Sequence, residues 1–224
     1  MLLKRRYGVV MNRKKIVRIM RDHGLFTRIR KKTQRLFAKK LQEHRVAKNL
    51  LNRQFRQVTP DSVYTTDITE LPYGSGKRAY LTAFKDLATG EIVASEISKT
   101  IDTKFVNLAL KRAINRLPRS KREKLMIHSD QGVHFTHKNF RRILAQNKIT
   151  QSMSRKGNCL DNAPIESFFG HLKDHLVRET TYESLIESVT REIEYYNSER
   201  PQWDKKKMPP KSFRRHLNRN AGFS

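Results

Sequence analysis

Val63-Tyr64-Thr65-Thr66-Asp67-Ile68-Thr69-Glu70-Leu71 sets an aspartate in the midst of a run rich in β-branched residues. Such residues suit a pleated strand, whereas a carboxylate is disfavoured there and costly if buried without a partner. Working outward, Gly74-Ser75-Gly76 reads as a turn, Ala79 to Lys85 as a second strand, Thr89-Gly90 as another turn and Ile92 to Ile97 as a third strand. Strands joined by tight turns predict an antiparallel meander.

A helix is predicted next, capped by Asp102, with Phe105, Val106, Ala109, Leu110, Ala113, Ile114 and Leu117 on its inner face and Pro118 at its end. Leu125 to His128 is a short apolar strand, Lys138 to Gln146 a helix and Ile149 to Met153 a fifth strand. After the loop Ser154 to Asp161 a helix opens at Asn162 with Pro164 in its first turn, and a last helix carries Tyr182, Leu185, Val189, Ile193 and Tyr196. Meander, helix, strand, helix, strand, helices is the order of an α/β, ribonuclease H-like fold: a mixed five-stranded sheet flanked by helices.

Composition narrows the function. Formal charge is +27, with 48 Lys and Arg against 21 Asp and Glu. That excess calls for a polyanionic partner, because each phosphate a protein neutralises releases a counterion. The single cysteine, Cys159, excludes an internal disulfide and a cysteine-based zinc cluster. No long apolar run predicts a membrane span, and Lys4-Arg5-Arg6 follows Met1-Leu2-Leu3 without a signal-peptide core, so a cytoplasmic protein is expected. Three segments are predicted: a basic helical, partly helix-turn-helix-like segment and linker over 1–57, a catalytic core over 58–199 and a basic tail over 200–224. Within the first, Gly24 is placed to cap a helix, and Arg28, Arg30, Lys31, Lys32, Arg35, Lys39 and Lys40 crowd together as a DNA-contacting stretch.

Three acids carry the chemistry. Asp67 lies within the first strand, Asp130 directly after the fourth in His128-Ser129-Asp130-Gln131-Gly132, and Glu166 in the first turn after Pro164. Singly these read as an edge-strand acid, a turn former and a favourable charge at a helix start. In a ribonuclease H-like sheet the first and fourth strands are neighbours, so the three converge. Converging carboxylates suit hard cations, Mg²⁺ or Mn²⁺, and two such ions in one site activate the attacking oxygen and stabilise the leaving one. Lys173, seven residues after Glu166, shares its helix face and is placed to hold a phosphate. Arg155, Lys156 and Asn158 in the loop, with Asn162, are the other candidate DNA contacts, and Gly170 leaves room for a DNA backbone. His128 and His134 bracket Asp130 and are read as supporting rather than ligating groups.

Thr66-Asp67-Ile68-Thr69, His128 through Gly132, and Gly157-Asn158 through Asp161-Asn162-Ala163 to Glu166-Ser167-Phe168-Phe169 resemble the integrase-core transposases of bacterial insertion sequences, in particular the second-frame product of the insertion-sequence-three family. The 35 residues between Asp130 and Glu166 match that family's spacing, and Tyr196-Asn197, Arg200-Pro201-Gln202 and Pro209-Pro210 resemble its C-terminal signature. The resemblance runs from Tyr7-Gly8 to about Leu217. It implies Mg²⁺ dependence, 3′-end cleavage of double-stranded DNA followed by strand transfer, a homo-oligomer on DNA, a first-frame transposase partner and a nucleoid location. Tyr64 stands near where the family usually has tryptophan, and the family normally carries more helix-turn-helix before Asn12 to Leu25, so a truncated or partner-dependent chain is expected. The competing readings are a nuclease of the same fold that cuts without joining, and a DNA-binding remnant.

Overall fold

The structure, a computed structural model, describes residues 2–26, 46–155, 158–176 and 179–221. The chain divides into two compact units, Met1–Glu43 and His44–Ser224. The crowded cations from Arg28 to Lys40 lie outside the described residues.

In the first unit, α1 (Leu2–Tyr7) and α2 (Arg13–Asp22) are short. The Asn12 side chain caps α2 by accepting from the Lys14 amide at 2.9 Å. At the other end Gly24 adopts φ +65°, and the amides of Gly24 and Leu25 return to the carbonyls of Arg21 and Met20. This left-handed cap closes the helix where the sequence placed it. Neither helix buries a residue.

The second unit is built on one sheet. Its strands are β1 (Val63–Tyr73), β2 (Lys77–Asp86), β3 (Ile92–Ser98), β4 (Met126–Ser129) and β5 (Thr150–Met153), in the order β3-β2-β1-β4-β5. β1, β2 and β3 form the predicted antiparallel meander, while β4 and β5 run parallel to β1. A parallel return needs a crossover, supplied by α3 (Thr103–Asn115) and the short α4 (Arg119–Arg122) before β4, and by α5 (Val133–Thr136) and α6 (Lys138–Gln146) before β5. Asp102 caps α3 by accepting from the amides of Lys104 and Phe105.

Strand alternation assigns the two faces. Even-numbered Tyr64, Ile68, Tyr80 and Phe84 pack with Phe105, Val106, Leu110 and Ile114 of α3 and with Phe140 and Leu144 of α6. Odd-numbered Leu71, Tyr73, Ala79, Leu81 and Ala83 pack with Ile165, Phe168, Phe169 and Leu172 of α7 (Ala163–His175) and with Leu185 and Val189 of α8 (Tyr182–Ser198). Asp67 is odd-numbered, so it belongs to the α7 face.

Both predicted flanks are more integrated than the sequence suggested. Leu51 is buried with Val63 and Leu87, and the amides of Leu50 and Leu51 donate to Ser152 Oγ, so the linker's end is part of the core. The stretch read as a basic tail contains α9 (Pro210–Ala221). Its Arg214 is 13% exposed and bonds Asp61, Asp86 and Glu91. Pro209 precedes this helix and Pro210 opens it, where a missing amide costs nothing.

Candidate active site

Asp67 sits on the central strand of the sheet, flanked by β2 and β4, which removes the edge-strand reading. It is half-buried, and one carboxylate oxygen accepts from the Ile68 amide at 2.7 Å. The Thr82 hydroxyl donates to the Asp67 carbonyl, fixing the backbone from β2.

Along the β1–β4 pairing, Val63 faces Met126, Tyr64 faces Ile127 and Thr65 faces His128. The same offset continued past the end of β4 sets Asp130 level with Asp67, on the same face. Asp130 Oδ1 accepts from the Gly132 amide at 2.9 Å. Burial pushes the Asp130 carboxyl above its ordinary range, and the Gly132 hydrogen bond opposes part of that shift. Gly132 has an ordinary φ of −60°, so turn geometry does not require a glycine there. A Cβ there would lie 2.8 Å from Asp130 Oδ1. The glycine is needed for the close approach of the carboxylate.

Glu166 is exposed in the first turn of α7. Two contacts fix that turn beside β1: Asn162 Nδ2 donates to the Thr66 carbonyl at 3.1 Å, and Lys85 Nζ donates to the Pro164 carbonyl at 3.1 Å. Helix α7 packs on β1 and β2, so all three acids belong to one side of the sheet. Among the described residues, no three His, Cys, Asp or Glu side chains already stand as a ready metal shell.

The other predicted contacts divide. Lys173 lies two turns along α7 from Glu166, half-buried, with Gly170 between them. Arg155 remains half-exposed but binds the Asp161 carboxylate through Nε at 2.9 Å and Nη2 at 2.9 Å. Asn158 opens the 3₁₀ turn Cys159–Asn162 and is half-buried. Lys156 and the Cys159 side chain lie outside the described residues. Asn162 departs from expectation: its side chain is buried, and its amide serves the Thr66 carbonyl rather than a ligand. Small polar residues near a helix start read alike whether they face solvent or the sheet, which is why the sequence misled here.

Asp161 was missed as a functional support. It is fully buried, and it accepts from Asn49 Nδ2, Arg53 Nε, the Arg155 amide and the Arg155 guanidinium. The Arg155 hydrogen bond foremost holds its carboxyl well below the usual carboxylate range. This clamp closes the loop between β5 and α7. Local sequence signals half of it, in Arg155, but Arg53 comes from a distant segment. His128 is buried beneath the site, its Nδ1 2.9 Å from Ser152 Oγ. Burial lowers the pKa of His128 and of His134, which favours the neutral form of each ring.

The model of the integrase core domain matches residues 57–159, and a second integrase core model matches 147–210. An uncharacterized transposase-like protein of Haemophilus influenzae is 38% identical over 96% of this chain and 98% of its own. The putative transposase InsK for insertion sequence element IS150 of Escherichia coli K12 is 34% identical over 93% of this chain and 73% of its own. The chain belongs to the integrase-core transposases of insertion sequences. These are polynucleotidyl transferases, and their reaction is DNA cleavage and strand transfer. Asp67 and Asp130 fall within the first matched region, Glu166 and Lys173 within the second. The fold agrees: the catalytic core domain of HTLV-2 integrase, solved in complex with magnesium, superposes with a TM-score of 0.54 at 15% identity, covering 70% of this chain and 99% of that one. Among the described residues, no helix is long and apolar enough to cross a membrane.

Proposed function

We propose that Asp67, Asp130 and Glu166 are the catalytic carboxylates of this transposase, and that together they bind two divalent ions, Mg²⁺ or Mn²⁺. The observation that carries the reading is the register of β1 and β4, which sets two aspartates level on the face that α7 covers. Three hard oxygen donors suit such ions, and a backbone amide fixes one carboxylate oxygen of each aspartate. The exposed Glu166 side chain completes the set by rotating toward them from the anchored first turn of α7.

Bound there, the ions would activate the attacking oxygen and stabilise the departing one. The chain's own residues place the DNA. Lys173, Arg155, Lys156 and Asn158 line its backbone, while Asn162 and Lys85 keep α7 in position. Water attacks first at the 3′ end of the element, and the freed 3′-hydroxyl then attacks target DNA. Two element ends imply at least a dimer on DNA, with a first-frame product as a further partner.

The test is incubation of the purified full chain with Mg²⁺ and labelled DNA carrying the flanking element end, beside Glu166→Gln. Cleaved and joined products from the parent are expected. The variant should fall by more than about a hundredfold, since loss of even an outer partner of a metal ligand costs roughly 10–100-fold. Equal activity in both would refute the carboxylate assignment. Nicks without joined products would mean a nuclease.

A further inference from the structure

The loop Trp203-Asp204-Lys205-Lys206-Lys207 between α8 and α9 presents the chain's only tryptophan, 74% exposed. An indole so open to water is unusual, because most of its surface is apolar. Lys207 Nζ lies 4.9 Å from the ring centroid. Lys206 and Lys207 both adopt left-handed backbone, with φ of 51° and 59°, a conformation most side chains avoid.

The loop is firmly built. Gln202 N donates to Met208 O at 3.0 Å, Lys205 N to Gln202 O and Met208 N to Lys205 O. Lys205 is its anchor: Nζ donates to the Leu87 carbonyl at 3.2 Å, pairs with Asp204 at 3.4 Å and sits 5.8 Å from the Phe213 ring centroid. Lys206 Nζ meets His216 Nε2 of α9 at 2.8 Å, yet the residue is exposed, as is Lys207. The three lysines therefore differ in role. One ties the loop down, and the other two flank the indole in solvent.

We propose that this loop is a DNA-contact wedge, with Lys206 and Lys207 on phosphates and Trp203 stacked on an unpaired base of the DNA held at the active site. The proposal rests on the transposase reading above. An indole face pairs with any base, but only where that base has left the duplex stack. Position favours the same DNA that enters the active site. Leu87, which holds Lys205, donates its amide to the Val63 carbonyl, four residues before Asp67 on β1. Four residues of strand span about 13 Å, so the part of β1 that anchors the loop lies roughly four base pairs' length from Asp67.

Because there is one tryptophan, its emission reports on this loop alone. The full chain carrying Glu166→Gln, which keeps the DNA uncut, is titrated with a labelled duplex bearing a short 5′ overhang and with its blunt counterpart. DNA anisotropy follows binding, while indole emission and acrylamide quenching follow the loop. The expected result is loss of indole emission and protection from acrylamide on saturation, larger with the overhang. Trp203→Ala should weaken overhang binding about tenfold with little change for blunt DNA. Changing Lys206 and Lys207 together to Gln should flatten the log K against log salt slope by about 1.4 to 1.8. Saturated anisotropy with unchanged indole emission and quenching would overturn the wedge while leaving the transposase reading intact. No DNA binding at all would overturn both.

Discussion

At the scale of single residues, the site is defined by what neighbours permit. The Asp130 carboxylate occupies the space a side chain at position 132 would need, at 2.8 Å from where a Cβ would stand. Gly132→Ala is therefore expected to displace that carboxylate by a fraction of an ångström to an ångström. Misplacement of that size costs up to about a hundredfold in rate. We expect DNA cleavage to fall ten- to a hundredfold while the thermal midpoint shifts little, because position 132 is near the surface and has ordinary backbone angles. Cleavage within twofold of the parent would show that Asp130 tolerates a different position. Asp161 makes the complementary case of a carboxylate that holds structure. Its folded-state pKa is depressed, first by the Arg155 hydrogen bond. A depressed carboxylate contributes stability above its unfolded pKa of about 3.9 and loses it as pH falls through the folded value. Asp161→Asn should thus be clearly less stable than the parent in urea at pH 7, and the gap should begin to narrow below about pH 4 and go on narrowing as pH falls toward the depressed folded value. A gap that persists unchanged at acid pH would remove the ionic account of this clamp. Asp161 also shows where sequence reading stopped. The places of Asp67, Asp130 and Glu166 in the fold were legible because each sits at a recognisable point of a strand or helix. Asp161 takes its meaning from Arg53 and Asn49, which no local pattern connects to it.

At the scale of elements, alternation and capping read the sheet and most helices correctly, since apolar residues at spacings of two or about four leave their mark in sequence. Helix α9 left almost none. Its inward anchor is Arg214, a residue that a search for apolar periodicity counts as surface. Tyr64 hydroxyl to Asp61, Asp61 to Arg214 and Arg214 to Asp86 and Glu91 tie the start of β1, the β2–β3 turn and α9 into one buried network. Burial works to raise Asp61, but the Tyr64 hydrogen bond and the Arg214 charge outweigh it and hold its carboxyl below the ordinary value. Asp86, buried more deeply, is raised despite the same arginine. Removing the cation leaves Asp61 with Tyr64 and Lys121, Glu91 with Arg116, and the fully buried Asp86 with hydrogen bonds alone, and breaking comparable buried pairs costs about 3–5 kcal/mol. Arg214→Met, which keeps much of the volume, should lower the unfolding free energy measured in urea by that amount and loosen α9. A drop under about 1 kcal/mol would mean water reaches the acids and replaces the arginine.

At the scale of the whole molecule, charge is distributed as unevenly as burial. Residues 1–43 hold 15 Lys and Arg against 2 acids, close to half of the net +27 in about a fifth of the chain. Every buried hydrophobic cluster among the described residues, by contrast, lies within the second unit, and the described helices of the first unit bury nothing. Stability and electrostatic attraction thus reside in different parts of the sequence. A chain starting at His44 should unfold with the same urea midpoint as the full-length protein, because every described core residue is kept. Its affinity for non-specific duplex should fall, and the salt dependence should reveal why. Each phosphate contact contributes about 0.9 to the slope of log K against log salt. If even a third of the removed cations touch phosphates, the slope should flatten by roughly 4 to 5. Equal slopes for the two chains would place the phosphate contacts on the sheet unit and assign the cations of the first unit to some other acidic partner.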